Sequence, residues 1–129
     1  MIQQGKYELA KKKLQRSVQF NKRFWDGWQR LAELCALAPD EKVRDGASAA
    51  KVAQRLVRDT PRKSLRDIET LAAALAEQRS FAEAADRAAS LVEQYRQNGN
   101  GARAEIMRKR QRSYQTGRPL YWVDGEQGN

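Results

Sequence analysis

Few residues of this chain could carry chemistry. It holds one cysteine, Cys35, and no histidine. A nucleophilic Cys35 would need a base to raise its thiolate fraction, and the side chain that most often does so is absent. Its spacing from Leu31 and Ala32 instead puts it on an apolar helix stripe, where a small buried residue is expected. The acidic pairs Asp40-Glu41 and Asp67/Glu69 fall at helix ends, where carboxylates favourably meet the helix dipole. A single cysteine forms no internal disulfide and no zinc ribbon. Gly99-Asn100-Gly101 is too short for a phosphate loop, and Gly27 and Gly46 lack the strand-to-helix context of a nucleotide fingerprint. These residues lead us to expect no catalysis, no metal and no cofactor.

The elements that must position any binding residues are helical, because apolar residues recur at three and four and strand alternation is almost absent. Tyr7, Ala10, Leu14 and Val18 mark a helix over about 4–21. Trp25, Trp28, Leu31, Ala32, Cys35 and Ala36 mark a second, closed by Pro39-Asp40. A third, about 45–59, has Asp45 as its candidate cap and ends at Thr60-Pro61. Ile68, Leu71, Ala72, Leu75 and Ala76 make a fourth stripe, with Ser64 or Asp67 as its cap. Ser80 and Glu83 have capping-box spacing ahead of a fifth helix bearing Phe81, Ala84, Ala85, Ala88, Leu91, Val92 and Tyr95. Asn98-Gly99-Asn100-Gly101 stops it. A sixth helix, about 102–116, carries Ala102, Ile106, Arg110 and Tyr114 and stops at Gly117-Arg118-Pro119. The expected fold is all-α: stacked antiparallel helix hairpins, about six helices, the last a cap.

The net charge of +9 arises from 25 basic and 16 acidic residues in 129, and it is unevenly placed. Residues 1–24 carry +6, residues 25–95 carry −1 and residues 96–129 carry +4. Two basic ends flank a neutral middle. Such ends suit a contact with nucleic acid, a membrane surface or an acidic partner, and solvated helix faces account for them without any ligand. No apolar window is long enough to span a membrane, and Met1–Lys6 shows no apolar leader, so a cytoplasmic location is expected.

The chain also repeats itself. Trp28-x-x-Leu31-Ala32-x-x-Cys35 matches Ile68-x-x-Leu71-Ala72-x-x-Leu75. Downstream, Gly46-x-x-Ala49-x-x-x-Ala53-x-x-Leu56 matches Phe81-x-x-Ala84-x-x-x-Ala88-x-x-Leu91, and Gly5-x-Tyr7-x-x-Ala10-x-x-x-Leu14 opens the chain on the same second-helix pattern.

On these residues the chain resembles the tetratricopeptide repeat (TPR) family over roughly 5–95. More narrowly, residues 28–121 look like the C-terminal segment of bacterial multi-repeat TPR proteins. That likeness rests on Leu31-Ala32-Glu33-Leu34, Pro39-Asp40, Arg44-Asp45-Gly46-Ala47, Thr70 to Glu77, and Tyr114-Gln115-Thr116-Gly117-Arg118-Pro119. The resemblance implies a half repeat at 4–24, repeats at 25–64 and 65–98, and a capping helix at 101–117, together one domain over 1–118, followed by a tail at 119–129. The chain departs from the pattern in an enlarged turn around 38–45 and in Arg79, which stands where a glycine is usual.

The resemblance further implies a scaffold that binds another protein, as a peptide or partner helix, in a concave groove. The groove positions would be Asp26, Gln29, Arg30, Glu33, Leu37, Arg66, Glu69, Thr70, Ala73 and Glu77. The second reading is a nucleic-acid or polyanion contact through Lys11, Lys12, Lys13 and Arg16 with Arg108, Lys109, Arg110 and Arg112. Two further expectations follow. Helix 4–21 needs cover for its apolar face, from upstream repeats or a second copy. The apolar tail Pro119–Val123 is expected to fold back on the last helix, the alternative being a docking segment for another chain, and 124–129 reads as disordered.

Overall fold

A computed structural model describes residues 2–61 and 64–122. Among them are six helices and no strand: α1 (Ile2–Phe20), α2 (Trp25–Leu37), α3 (Gly46–Asp59), α4 (Leu65–Glu77), α5 (Phe81–Gln97) and α6 (Gly101–Gln115). Each helix packs on the next in sequence, and α2 also packs on α4. The expected disorder of 124–129 lies outside the described residues.

The ends of the helices follow from local chemistry. Asp45 caps α3 by accepting from the Ser48 N–H at 3.2 Å, Ser64 caps α4 by accepting from Arg66, and Asn100 caps α6 by accepting from Arg103 at 3.1 Å. Ser80 stands at the N-cap of α5, but its side chain makes no capping bond, so the expected capping box does not form. Its main-chain N–H instead donates back to the Leu75 carbonyl at 2.8 Å, closing the end of α4. That closure uses Arg79 at φ 69°, and the same six-to-one bond follows Gly99 (φ 78°) and Gly117 (φ 76°). Arg79 thus adopts a left-handed conformation that favours glycine.

The matched positions of the two repeats are buried in parallel. Leu31 and Leu71, Ala32 and Ala72, Ala49 and Ala84, Ala53 and Ala88, and Leu56 and Leu91 all lie in the core. Alanines at these points let the helices approach closely. The enlarged turn is present too: residues 38–45 join α2 to α3, where only 78–80 join α4 to α5. That turn is pinned. Val43 is buried, Asp45 N–H donates to the Cys35 carbonyl at 2.8 Å, and Arg44 donates to the carbonyls of Ala38 (2.9 Å) and Pro39 (3.0 Å).

Two expectations need correction. The apolar stripe of α1 is largely covered within the chain: Tyr7 is 3% exposed and Val18 2%, clustered with residues of α2, the 38–45 turn and Trp122. The residues left bare are Leu9 and Phe20, the latter 93% exposed, on the opposite side of that helix. On α6 the buried residues are Ala104, Met107 and Tyr114, with Arg103 and Arg110 turned inward beside them, while Ala102 and Ile106 face out. The reason is a carboxylate on α4, described next.

Candidate functional site

The ten positions expected to line a groove divide into three groups. Asp26 and Arg30 are exposed, and Arg66 and Glu77 are half-buried. Gln29, Glu33, Leu37, Glu69, Thr70 and Ala73 are buried. The structure therefore brings most of them together on the α2–α4 face, but as a sealed network in place of an open lining.

Helical spacing builds that network. Gln29 and Glu33 stand one turn apart on α2, as do Arg66 and Thr70 on α4. The Gln29 amide donates to Glu33 (3.2 Å) and to the Thr70 hydroxyl (3.1 Å). Arg66 Nε donates to Glu33 at 3.1 Å, and the Thr70 hydroxyl donates back to the Arg66 carbonyl at 3.0 Å.

Glu69 anchors α5 and α6 to α4. Its carboxylate accepts from the Tyr95 hydroxyl on α5 and, from α6, Arg103 Nε at 3.0 Å and Arg110 at 3.3 Å. Burial pushes the Glu69 carboxyl up, yet the Arg103 hydrogen bonds, the Tyr95 hydroxyl and the Arg110 charge outweigh it and hold the carboxyl below its ordinary value. Burial first and the Glu69 carboxylate second push Tyr95 up to about 12, against the opposing charge of Arg103. Tyr114, beside this cluster, is also pushed up to about 12 by burial, and its hydroxyl has no partner among the described residues.

Across the rest of the face lies the chain's own segment after α6. The helix closes at Gly117, and the non-helical residues 118–122 then run back to α2 and α4. Leu120 packs on two clusters, one including Leu37 and Ala73, the other including Ala72, Ala76 and Tyr114. Tyr121 donates its hydroxyl to Glu77, and the Arg44 guanidinium lies 4.0 Å over its ring centroid. Arg44 is held for this role by a 3.3 Å ion pair with the same Glu77. Trp122 gives its main-chain N–H to the Leu37 carbonyl, and its ring tilts against Tyr7, centroids 6.1 Å apart. Its indole N–H is buried with no acceptor among the described residues. Residues 119–122 thus fold back, but chiefly onto α1, α2 and α4, with Leu120 also packed on the cluster that holds Tyr114 of the last helix, while Val123 lies outside the described residues.

Sequence reasoning flagged this tail, and the expected groove set already held Leu37, Ala73 and Glu77, on which it docks. Arg44 stood in the Arg44–Ala47 motif and Tyr95 on the stripe of the fifth helix, with no sign of their polar roles, and for Arg103 the signal was its spacing of seven from Arg110, which puts both on one helix face with Met107 and Tyr114.

The basic set is dispersed. Lys12, Lys13, Arg16, Lys109 and Arg112 are exposed. Lys11 instead donates to the Val43 carbonyl at 3.0 Å, Arg108 lies 3.9 Å from Glu105, and Arg110 is committed to Glu69. Cys35 is buried, and burial raises its thiol away from the reactive thiolate form. Among the described residues no cluster could hold a metal ion, and no helix is long and apolar enough to cross a membrane. No protein-family model matches the chain, and no curated protein or solved structure is significantly similar to it.

Proposed function

We propose that this chain is a noncatalytic protein-interaction module of the TPR type, binding a peptide or partner helix on the face built by α2 and α4. The observation that carries this reading is the segment 118–122 lying on that face. It is held as a bound peptide would be, by one main-chain hydrogen bond, an apolar anchor at Leu120 and a polar clamp on Tyr121. The matched burial of the two repeats supports the TPR resemblance, and the inward commitment of Lys11 and Arg110 weakens the polyanion reading.

The test is a peptide array probed with the chain, alongside a random single-stranded oligonucleotide at low and moderate salt. Peptide binding that survives salt and falls with substitutions on the α2–α4 face is expected. Binding of the oligonucleotide alone, lost on substituting Lys12, Lys13 and Arg16, would overturn the proposal.

A further inference from the structure

The seat of residues 118–122 is a mould from which the chemistry of its ligand can be read. Three features define it. A helix C-terminal carbonyl, that of Leu37, accepts a main-chain N–H at 2.7 Å. One residue earlier, a cation and a carboxylate, Arg44 and Glu77, flank an aromatic ring that carries a hydroxyl. One residue before that, the floor containing Leu37, Ala73 and Ala76 takes a branched aliphatic side chain.

The fit is imperfect at one point. The Trp122 indole N–H is buried without an acceptor among the described residues, and a buried unsatisfied donor weakens the contact that buries it. Tyr121 remains 36% exposed, and the segment leaves α6 through Gly117, whose φ of 76° is open to glycine at no steric cost. A self-ligand with a donor left unpaired among the described residues and an exposed middle residue is held less tightly than one that satisfies every group of its seat.

We infer that residues 118–122 occupy the binding face in cis, and that the partner is a protein presenting a non-helical segment of the form aliphatic–Tyr–aromatic. Its last residue is preferably Phe, which fills the Trp122 seat without the stranded N–H. This rests on the interaction reading above and adds the class of partner and its competition with the tail. A site filled in cis binds a ligand in trans with an affinity reduced by the fraction of molecules that are open.

The experiment uses the full chain and a labelled peptide copying residues 116–122 with the Trp122→Phe change. Affinity is measured by fluorescence anisotropy for the unaltered chain, for Tyr121→Ala, and for Tyr121→Ala/Trp122→Ala, with helicity followed by circular dichroism. The peptide should bind the double variant about tenfold more tightly than the unaltered chain, with the single variant between them. The peptide ending in Trp should bind more weakly than the one ending in Phe. Light scattering should find the complex to be one chain with one peptide.

Equal affinity for all three proteins, or no binding to a variant that keeps its helicity, overturns the inference. So does a peptide-free dimer that disappears with the double substitution, because the occupant in trans would then be a second copy. Peptides from the array that bind without this pattern, and without competition from the tail peptide, would leave the interaction reading standing and remove only this one. Oligonucleotide binding alone would remove both.

Discussion

Trp122 donates its main-chain N–H to the carbonyl oxygen of Leu37 at 2.7 Å, joining the segment after α6 to the end of α2 across most of the chain. That carbonyl belongs to the last turn of a helix, where no intrahelical donor remains. The bond therefore satisfies α2 and positions the tail together, and Leu120 and Tyr121 fall into place on the floor and clamp beside it.

The tail should accordingly contribute to folding. Trp122→Ala removes the ring against Tyr7, and for this half-buried side chain we expect a loss of about 2–3 kcal/mol. Urea unfolding followed by circular dichroism measures it. An unchanged midpoint, or an unchanged melting temperature after deletion of 119–129, would show that the tail does not pack.

Glu69 joins α4 to α5 and α6, and Glu69→Ala should cost about 3 kcal/mol because it strands Arg103 and Arg110 in a largely buried site. A double-mutant cycle with Arg103→Ala should return a coupling well above the fraction of a kcal/mol typical of exposed pairs. Additive losses would contradict the arrangement.

The same carboxylate predicts a pH dependence. Its pKa is lowered on folding, so the folded chain binds that proton less readily than the unfolded one. The resulting stability is present above the ordinary carboxyl value of about 4.3 and is lost as pH falls through the depressed one. Glu69→Gln should lower stability at neutral pH and flatten the decline in acid. Asp45, held low by the Ser48 hydroxyl and N–H, keeps its own part of that decline. An acid limb identical in Glu69→Gln and the unaltered chain would refute the assignment.

Two backbone positions give opposite predictions. A Cβ at Gly46 would stand 2.7 Å from Cγ and 3.2 Å from Cβ of Glu77, too near the backbone to yield easily. Gly46→Ala should therefore destabilise by about 1–3 kcal/mol and loosen Tyr121 through Glu77. Arg79→Gly should stabilise by about 0.5–1 kcal/mol by relieving the left-handed conformation, less whatever the 5.9 Å Arg79–Phe81 stacking supplies. Thermal unfolding distinguishes both signs.

The helices were legible because their apolar stripes repeat, and Asp45 and Ser64 cap where short polar residues precede such stripes. The inner face of α6 was not. Periodicity put Arg110 and Tyr114 on it, but also the exposed Ala102 and Ile106, and it left out Arg103, which a carboxylate at Glu69, 34 residues earlier, turns in. The groove positions were legible as a set on α2 and α4, since helical spacing fixes which residues share a face. Their closure was not, because it depends on Arg103 and Arg110 turning in on Glu69 and on Leu120, Tyr121 and Trp122 finding partners on three earlier helices. Composition marked the tail residues as apolar, without indicating where they would dock.

The arginine pair of α6 also bears on how such a module could be recombined. A helix substituted for α6 with an ordinary apolar inner face would leave the Glu69 carboxylate facing hydrocarbon, with only Tyr95 to meet it. The junction is therefore keyed: a graft at this end must bring two correctly spaced cations, or Glu69 must be neutralised in the same step. Stacked-helix modules are commonly treated as interchangeable bricks, and here one buried acid makes the final joint specific to its own neighbour.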